Sequence, residues 1–269
     1  MYSVTEKNSQ VNGITVSYEV AGSGPWLLFS HSLACSKAMW QPQFEALAKS
    51  FRVVRYDTRG HGHSGSPDGP YTMDLLADDV KGLCDALGIE QCHFVGLSMG
   101  GMVGQTVALK YPDLLLSLTL ADTSSSYGPG ALAFWSARSQ AALKDGLSAL
   151  IPATLERWFT AAYRATQPEK MAEVTQWIID TPVTGYAACC MAIAGIETTA
   201  RLSQIKVPVL VIVGADDVAT PLATAEIMHA QIAGAKLVVL PSAAHIASVE
   251  QPVLFTAALS SFLYDCAAP

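Results

Sequence analysis

Charge is scarce in this 269-residue chain: Asp, Glu, Lys and Arg make up 14% of it, and acidic residues outnumber basic ones by 23 to 16. No basic stripe occurs, which argues against a nucleic-acid partner. A net charge of −7 exerts no long-range pull on an anionic substrate, so any anion site must be built locally. Long apolar runs are missing too. Val207 to Val213 is among the longest, of strand length and far short of a membrane span. Met1 to Gln10 is polar and holds no apolar signal-peptide core, so the expectation is a cytoplasmic protein with no membrane partner. Cys35, Cys84, Cys92, Cys189, Cys190 and Cys266 lack metal-type spacing and lie mostly in apolar segments. They read as buried reduced thiols, the adjacent Cys189 and Cys190 as packing residues. His61 and His63 lack further ligands at suitable spacing, so no metal site is expected. There is no internal repeat and no low-complexity tract.

What is present is a hydrophobic content of 51%, enough for a well-buried, folded protein. Val11 to Ala21 alternates around Asn12-Gly13, the signature of an antiparallel hairpin. Continuous apolar runs at Pro25–Ser30, Phe51–Tyr56, Gln91–Leu97 and Leu115–Ala121 read as strands, the first buried on both faces. Helical spacing separates them at Ser36–Ser50, Tyr71–Leu87 (Thr72 as N-cap, Gly88 as stop) and Met99–Lys110. Strand-helix alternation with short connections predicts a mostly parallel sheet flanked by helices. The rhythm breaks at Asp122 to Ala200, where apolar residues recur at helical intervals without a strand signal. A stretch that long must be a helical insertion. Strands resume at Val207–Gly214 and Lys236–Leu240, and a helix closes the chain at Pro252–Tyr264. The expected division is a core of residues 1–122 and 201–269 and a helical cap of 123–200.

Cys92 to Val103 carries the chemistry. A strand-like run enters Gly96-Leu97-Ser98-Met99-Gly100 and a helix-compatible segment leaves it. In that context Gly-x-Ser-x-Gly places a nucleophile on a tight strand-to-helix turn. The glycines let the two backbones approach, and the serine takes a strained conformation. A serine hydroxyl needs a base, and the base an orienting acid, in the order Ser, acid, His. Only His229 and His245 follow Ser98. His229 lies inside a helical segment; His245 sits on the small-residue loop after the Lys236–Leu240 strand and is assigned as base. The acid is Asp216 or Asp217, both just past the Val207–Gly214 strand. The residues alone do not separate them. Met99 N–H at the helix start and Leu33 N–H after the Pro25–Ser30 strand are the expected oxyanion donors. His31 has two readings, a substrate contact or a loop histidine bonded to backbone. The Asp57-x-Arg59-Gly60-x-Gly62-x-Ser64 loop is structural, with Arg59 bridging nearby carboxylates and carbonyls.

These residues resemble the α/β-hydrolase superfamily over nearly the whole chain. Phe51 to Gly62, Arg157-Trp158-Phe159-Thr160, Gly185 to Ile193 and His245 to Pro252 resemble the 3-oxoadipate enol-lactonases more narrowly. The resemblance implies an α/β-hydrolase fold with an inserted helical cap. Its Gly-x-x-Asp pattern, with proline four residues on, falls on Gly214, Asp217 and Pro221 and selects Asp217. The chain departs from the pattern at His31-Ser32-Leu33-Ala34, where such lactonases commonly carry Asn-Ser-Leu-Gly. The implied activity is hydrolysis of a small-molecule ester or lactone through an acyl-enzyme, with no metal or organic cofactor. The substrate carboxylate of an enol-lactone calls for a cation, and of Arg138, Arg157, Arg164 and Arg201, the arginines in or at the edge of the cap, the choice is Arg138, with Trp135 and Trp158 lining the pocket. A broad carboxylesterase is the alternative; carbon–carbon cleavage of a dienoic acid and a non-catalytic ligand receptor are weaker ones. Oligomeric state is open, a homo-oligomer included.

Overall fold

A computed structural model describes residues 5–267. Residues 1–4, the start of the polar N-terminal stretch, lie outside the described residues. The strands are β1 (Glu6–Val11), β2 (Ile14–Ala21), β3 (Trp26–Ser30), β4 (Arg52–Tyr56), β5 (Cys92–Leu97), β6 (Leu115–Ala121), β7 (Val209–Gly214) and β8 (Lys236–Leu240). They form one sheet in the order β1-β2-β4-β3-β5-β6-β7-β8. β1, β2 and β4 pair antiparallel; every pairing from β4 through β8 is parallel. All residues of β5 and of β7 are buried. Because successive side chains point to opposite faces, both faces of the sheet must be covered.

The helices that cover it are α1 (Gln41–Leu47), α2 (Met73–Ala86), α3 (Met99–Lys110), α9 (Leu222–Gln231) and α11 (Pro252–Ala267), with the short α10 (Ala247–Glu250) packed against α11. Between β6 and β7 lie α4 (Ala131–Asp145), α5 (Ile151–Trp158), α6 (Ala161–Thr166), α7 (Pro168–Asp180) and α8 (Val183–Ala194). α4 packs along α8. The two ends of this helical segment meet, where Thr198 N–H donates to Ser125 O at 2.9 Å and Ser126 bridges to Glu197. Among the described residues no single helix is long and apolar enough to cross a membrane.

Two differences from the sequence expectation have local causes. The hairpin's first strand begins at Glu6 rather than Val11, because most of Glu6 to Gln10 is exposed and carries no apolar alternation. The Ser36–Ser50 helix divides into a 3₁₀ turn at Lys37–Trp40 and α1, whose first turn holds Pro42, a residue without an N–H to continue the ladder. The Asp57 loop is built as expected. Arg59 grips Asp79 at 2.6 and 2.8 Å and reaches Asn12 O, while Asp57 accepts Lys37 N–H at 2.7 Å.

Candidate active site

Ser98 sits between β5 and α3 with φ 55° and ψ −116°, a conformation that non-glycine residues adopt at a cost. The turn is as tight as the two glycines imply. A Cβ on Gly96 would lie 2.1 Å from Gly100 O, and one on Gly100 would lie 2.2 Å from Ser30 O of β3. Ser98 N–H donates to Ala121 O, and Thr123 Oγ1 donates to Ser98 O, so the strained residue is held at both ends.

From Ser98 a line of hydrogen bonds crosses the ends of three strands. Ser98 Oγ lies 2.9 Å from His245 Nε2, and His245 Nδ1 lies 2.9 Å from Asp217 Oδ2. All three residues are buried, at 7%, 4% and 5% exposure, so little water competes for these contacts. Asp217 takes further bonds from Ala219 N–H and Thr220 N–H on Oδ1, and from Thr220 Oγ1 on Oδ2. Burial pushes its carboxyl upward. The charge and hydrogen bond of His245, with those of Thr220, outweigh that and hold it below the ordinary aspartate value. Asp216 is exposed, and His229 lies within α9. A hydroxyl bonded to an imidazole that is backed by a carboxylate can give up its proton and attack a carbonyl.

The histidine loop is itself tied down. Glu250 Oε2 accepts Ala244 N–H at 2.9 Å, its Oε1 accepts Thr160 N–H and Oγ1, and Ile246 N–H donates to Trp158 O. Glu250 thus joins the His245 loop to the segment following α5.

A narrow cavity opens on Ser98 and His245, walled by Leu33, Tyr127, Trp135, Arg138, Thr154, Arg157, Trp158 and Tyr186. Trp135, Arg138 and Trp158 are in its wall. His31 is not. It is fully buried, with Nδ1 on Ser32 O and Nε2 on Thr58 N–H, so the substrate-contact reading gives way to the backbone-bonded one. Leu33 N–H and Met99 N–H have no acceptor among the described residues. Arg138 is engaged, with Nε to Tyr186 Oη at 2.5 Å and Nη2 to Thr154 Oγ1 at 2.9 Å. Arg157 is not: its guanidinium lies 5.6 Å over the Phe134 ring, with no carboxylate or hydrogen-bond partner among the described residues. Burial, then the Arg138 charge, lower its pKa. The buried Trp135 Nε1 also lacks a partner. A roomier surface hollow by Lys81 and Lys110 shares no residue with this cavity. No three His, Cys, Asp or Glu side chains among the described residues are grouped to hold a metal.

Several of these residues were not singled out by sequence. Thr220 and Glu250 lay inside segments read as a whole and not as single residues, and Arg157 was passed over for Arg138 among the four arginines in or at the edge of the cap.

This strand-turn-helix geometry has a known home. The family profile of the alpha/beta hydrolase fold matches residues 25–252, and the chain belongs to that family. It is 36% identical to 3-oxoadipate enol-lactonase 2 of Acinetobacter baylyi over 252 residues, 93% of each chain. Among solved structures, the enol-lactonase of Burkholderia xenovorans LB400 superposes with a TM-score of 0.93 at 40% identity, covering 96% of this chain and 100% of that one. A thermophilic esterase of Thermogutta terrifontis superposes with a TM-score of 0.91 at 31% identity, covering 98% and 99%.

Proposed function

We propose that this chain is a serine hydrolase of anionic enol-lactones of the 3-oxoadipate type, with residues 123–200 acting as a cap over the site. The observation that carries the reading is the Ser98–His245–Asp217 line opening onto a cavity with an unpaired Arg157. The enol-lactonase relatives support the substrate class.

In this reading His245 takes the Ser98 proton and the alkoxide attacks the lactone carbonyl. Met99 and Leu33 N–H groups hold the oxyanion, with the start of α3 adding its dipole. The intermediate collapses with cleavage of the acyl C–O bond, and His245 returns the proton to the departing enol oxygen. The enol tautomerises to the ketone. Water, deprotonated by His245, then attacks the acyl-enzyme and releases the acid and Ser98. Asp217 holds the imidazole and stabilises its charged form. Arg157, with Arg138 beside it and the Trp135 N–H, takes the substrate carboxylate, a charge-assisted pairing within a dry pocket. No step draws on a metal or organic cofactor.

A fluorophosphonate probe tests the nucleophile: it should label Ser98, and Ser98→Ala should lose both label and turnover. Wild-type-like turnover by Ser98→Ala would overturn the assignment. A carboxylesterase is the second reading, favoured by the aromatic walls of Trp135, Trp158, Tyr127 and Tyr186 and by the esterase relative.

A further inference from the structure

We infer that His31 is a positioning residue for the oxyanion donor, fixing the peptide unit between Ser32 and Leu33; the inference rests on the acyl-transfer reading above. A trans peptide is planar, so its carbonyl oxygen and its N–H point in opposite directions. Holding one aims the other. Ser32 O is held twice, by His31 Nδ1 at 2.8 Å and by Cys35 N–H at 3.1 Å. The N–H across that same peptide is Leu33's, and Leu33 lines the cavity beside Ser98.

His31 can do this only in one tautomer. Its Nε2 lies 2.9 Å from Thr58 N–H, which is a donor, so Nε2 must accept and Nδ1 must carry the proton. Donation from Nδ1 to Ser32 O also polarises the peptide and strengthens Leu33 N–H as a donor. The next peptide is gripped in the same manner: Ala34 N–H donates to His61 Nε2 at 3.0 Å, and His61 Nδ1 faces Arg59 O at 3.3 Å. Ala34 has φ 58°, a left-handed conformation that a residue with a Cβ does not adopt freely, so the turn is held from outside. The two rings meet edge to face at 5.1 Å and neither is exposed. Burial lowers the pKa of both, that of His61 to about 3, and the neutral rings are the ones able to accept at Nε2. Two buried histidines thus clamp successive peptides of a loop whose free donor is Leu33 N–H.

The test uses the full chain on an ester that the wild type hydrolyses. Asn at position 31 presents a side-chain N–H near the place of Nδ1; Leu presents none. His31→Leu should lower kcat by about tenfold to a hundredfold, less than the full loss of an oxyanion donor, with KM within about twofold. His31→Asn should recover most of the lost kcat. The affinity of an aryl trifluoromethyl ketone, which forms an oxyanion on Ser98, should fall with kcat. Equal losses in both variants, or a raised KM with unchanged kcat, would overturn the inference. Should His31→Leu not fold, ¹⁵N-histidine NMR of the wild type decides it. The expected spectrum has His31 protonated at Nδ1 alone, with that proton moving downfield when the ketone binds. Protonation at Nε2, or no response to the ketone, would contradict it. A wild type that turns over no ester or lactone would refute the acyl-transfer reading instead, and the unliganded NMR spectrum would still report the His31 tautomer.

Discussion

Asp122 and Asp217 stand past the ends of the neighbouring strands β6 and β7, both buried, and their surroundings move their acidities in opposite directions. Asp217 is kept below its ordinary value by His245 and Thr220 despite burial. Asp122 is pushed well above its own by burial and by the Asp217 charge, against the pull of the Gly214 N–H it accepts at 2.8 Å. Its second oxygen, Oδ2, has no partner within hydrogen-bond geometry among the described residues.

The pH dependence of stability should separate the two. An acid whose pKa rises on folding contributes stability that erodes as pH climbs from its unfolded value, roughly 3.9, toward the native one. Asn is neutral throughout, so the melting temperature of Asp122→Asn relative to wild type should rise between pH 5 and 9. Asp217, with its pKa lowered, contributes stability above roughly pH 3.9 that is lost as pH falls through the native value. The deficit of Asp217→Asn should therefore shrink in acid, while its kcat falls by about 10³–10⁴-fold at neutral pH. Thermal melts across pH, with kinetics at pH 7, check both.

Arg157→Gln should raise KM for an anionic lactone about tenfold to a hundredfold, the worth of one charge-assisted contact. A neutral aryl ester should be little affected. Arg138→Gln should act more broadly, since it also frees Tyr186 and Thr154. Parallel kinetics on the two substrates check this; equal effects on both would remove Arg157 from carboxylate recognition.

Gly100→Ala should destabilise the protein by about 3 kcal/mol or more, because its Cβ meets Ser30 O at 2.2 Å and backbone must move. Urea denaturation measures this directly.

Glu250→Gln should loosen the His245 loop from the segment after α5. It keeps the shape but replaces one of the two oxygens that receive Ala244 and Thr160 with an amide nitrogen. A loss of about 1–3 kcal/mol is expected in the same denaturation experiment.

Ser98 and His245 were legible in sequence because each lies just beyond a strand whose apolar run is easy to see. The Asp216–Asp217 tie yielded to the family pattern but not to the residues themselves, since both share that position; the physical difference, burial and the bonds to Thr220, lies in three dimensions. His31 was half legible. A histidine after a strand is visible, but whether its ring turns to the cavity or to the Thr58 backbone depends on a loop far along the chain. Arg138 and Arg157 could not be told apart for a related reason: the sequence places each on a helix but does not say which neighbours its guanidinium meets, and both line the cavity. Asp122 carries no motif, and only the packing of β6 against β7 reveals its carboxyl as buried.

The most direct measurement is kcat/KM of the wild type on 3-oxoadipate enol-lactone beside a graded series of neutral p-nitrophenyl esters. A preference of several orders of magnitude for the lactone, abolished in Ser98→Ala and sharply reduced in Arg157→Gln, is the expected result. Parity, or a preference for the neutral esters, would contradict the enol-lactone assignment and leave a carboxylesterase in its place.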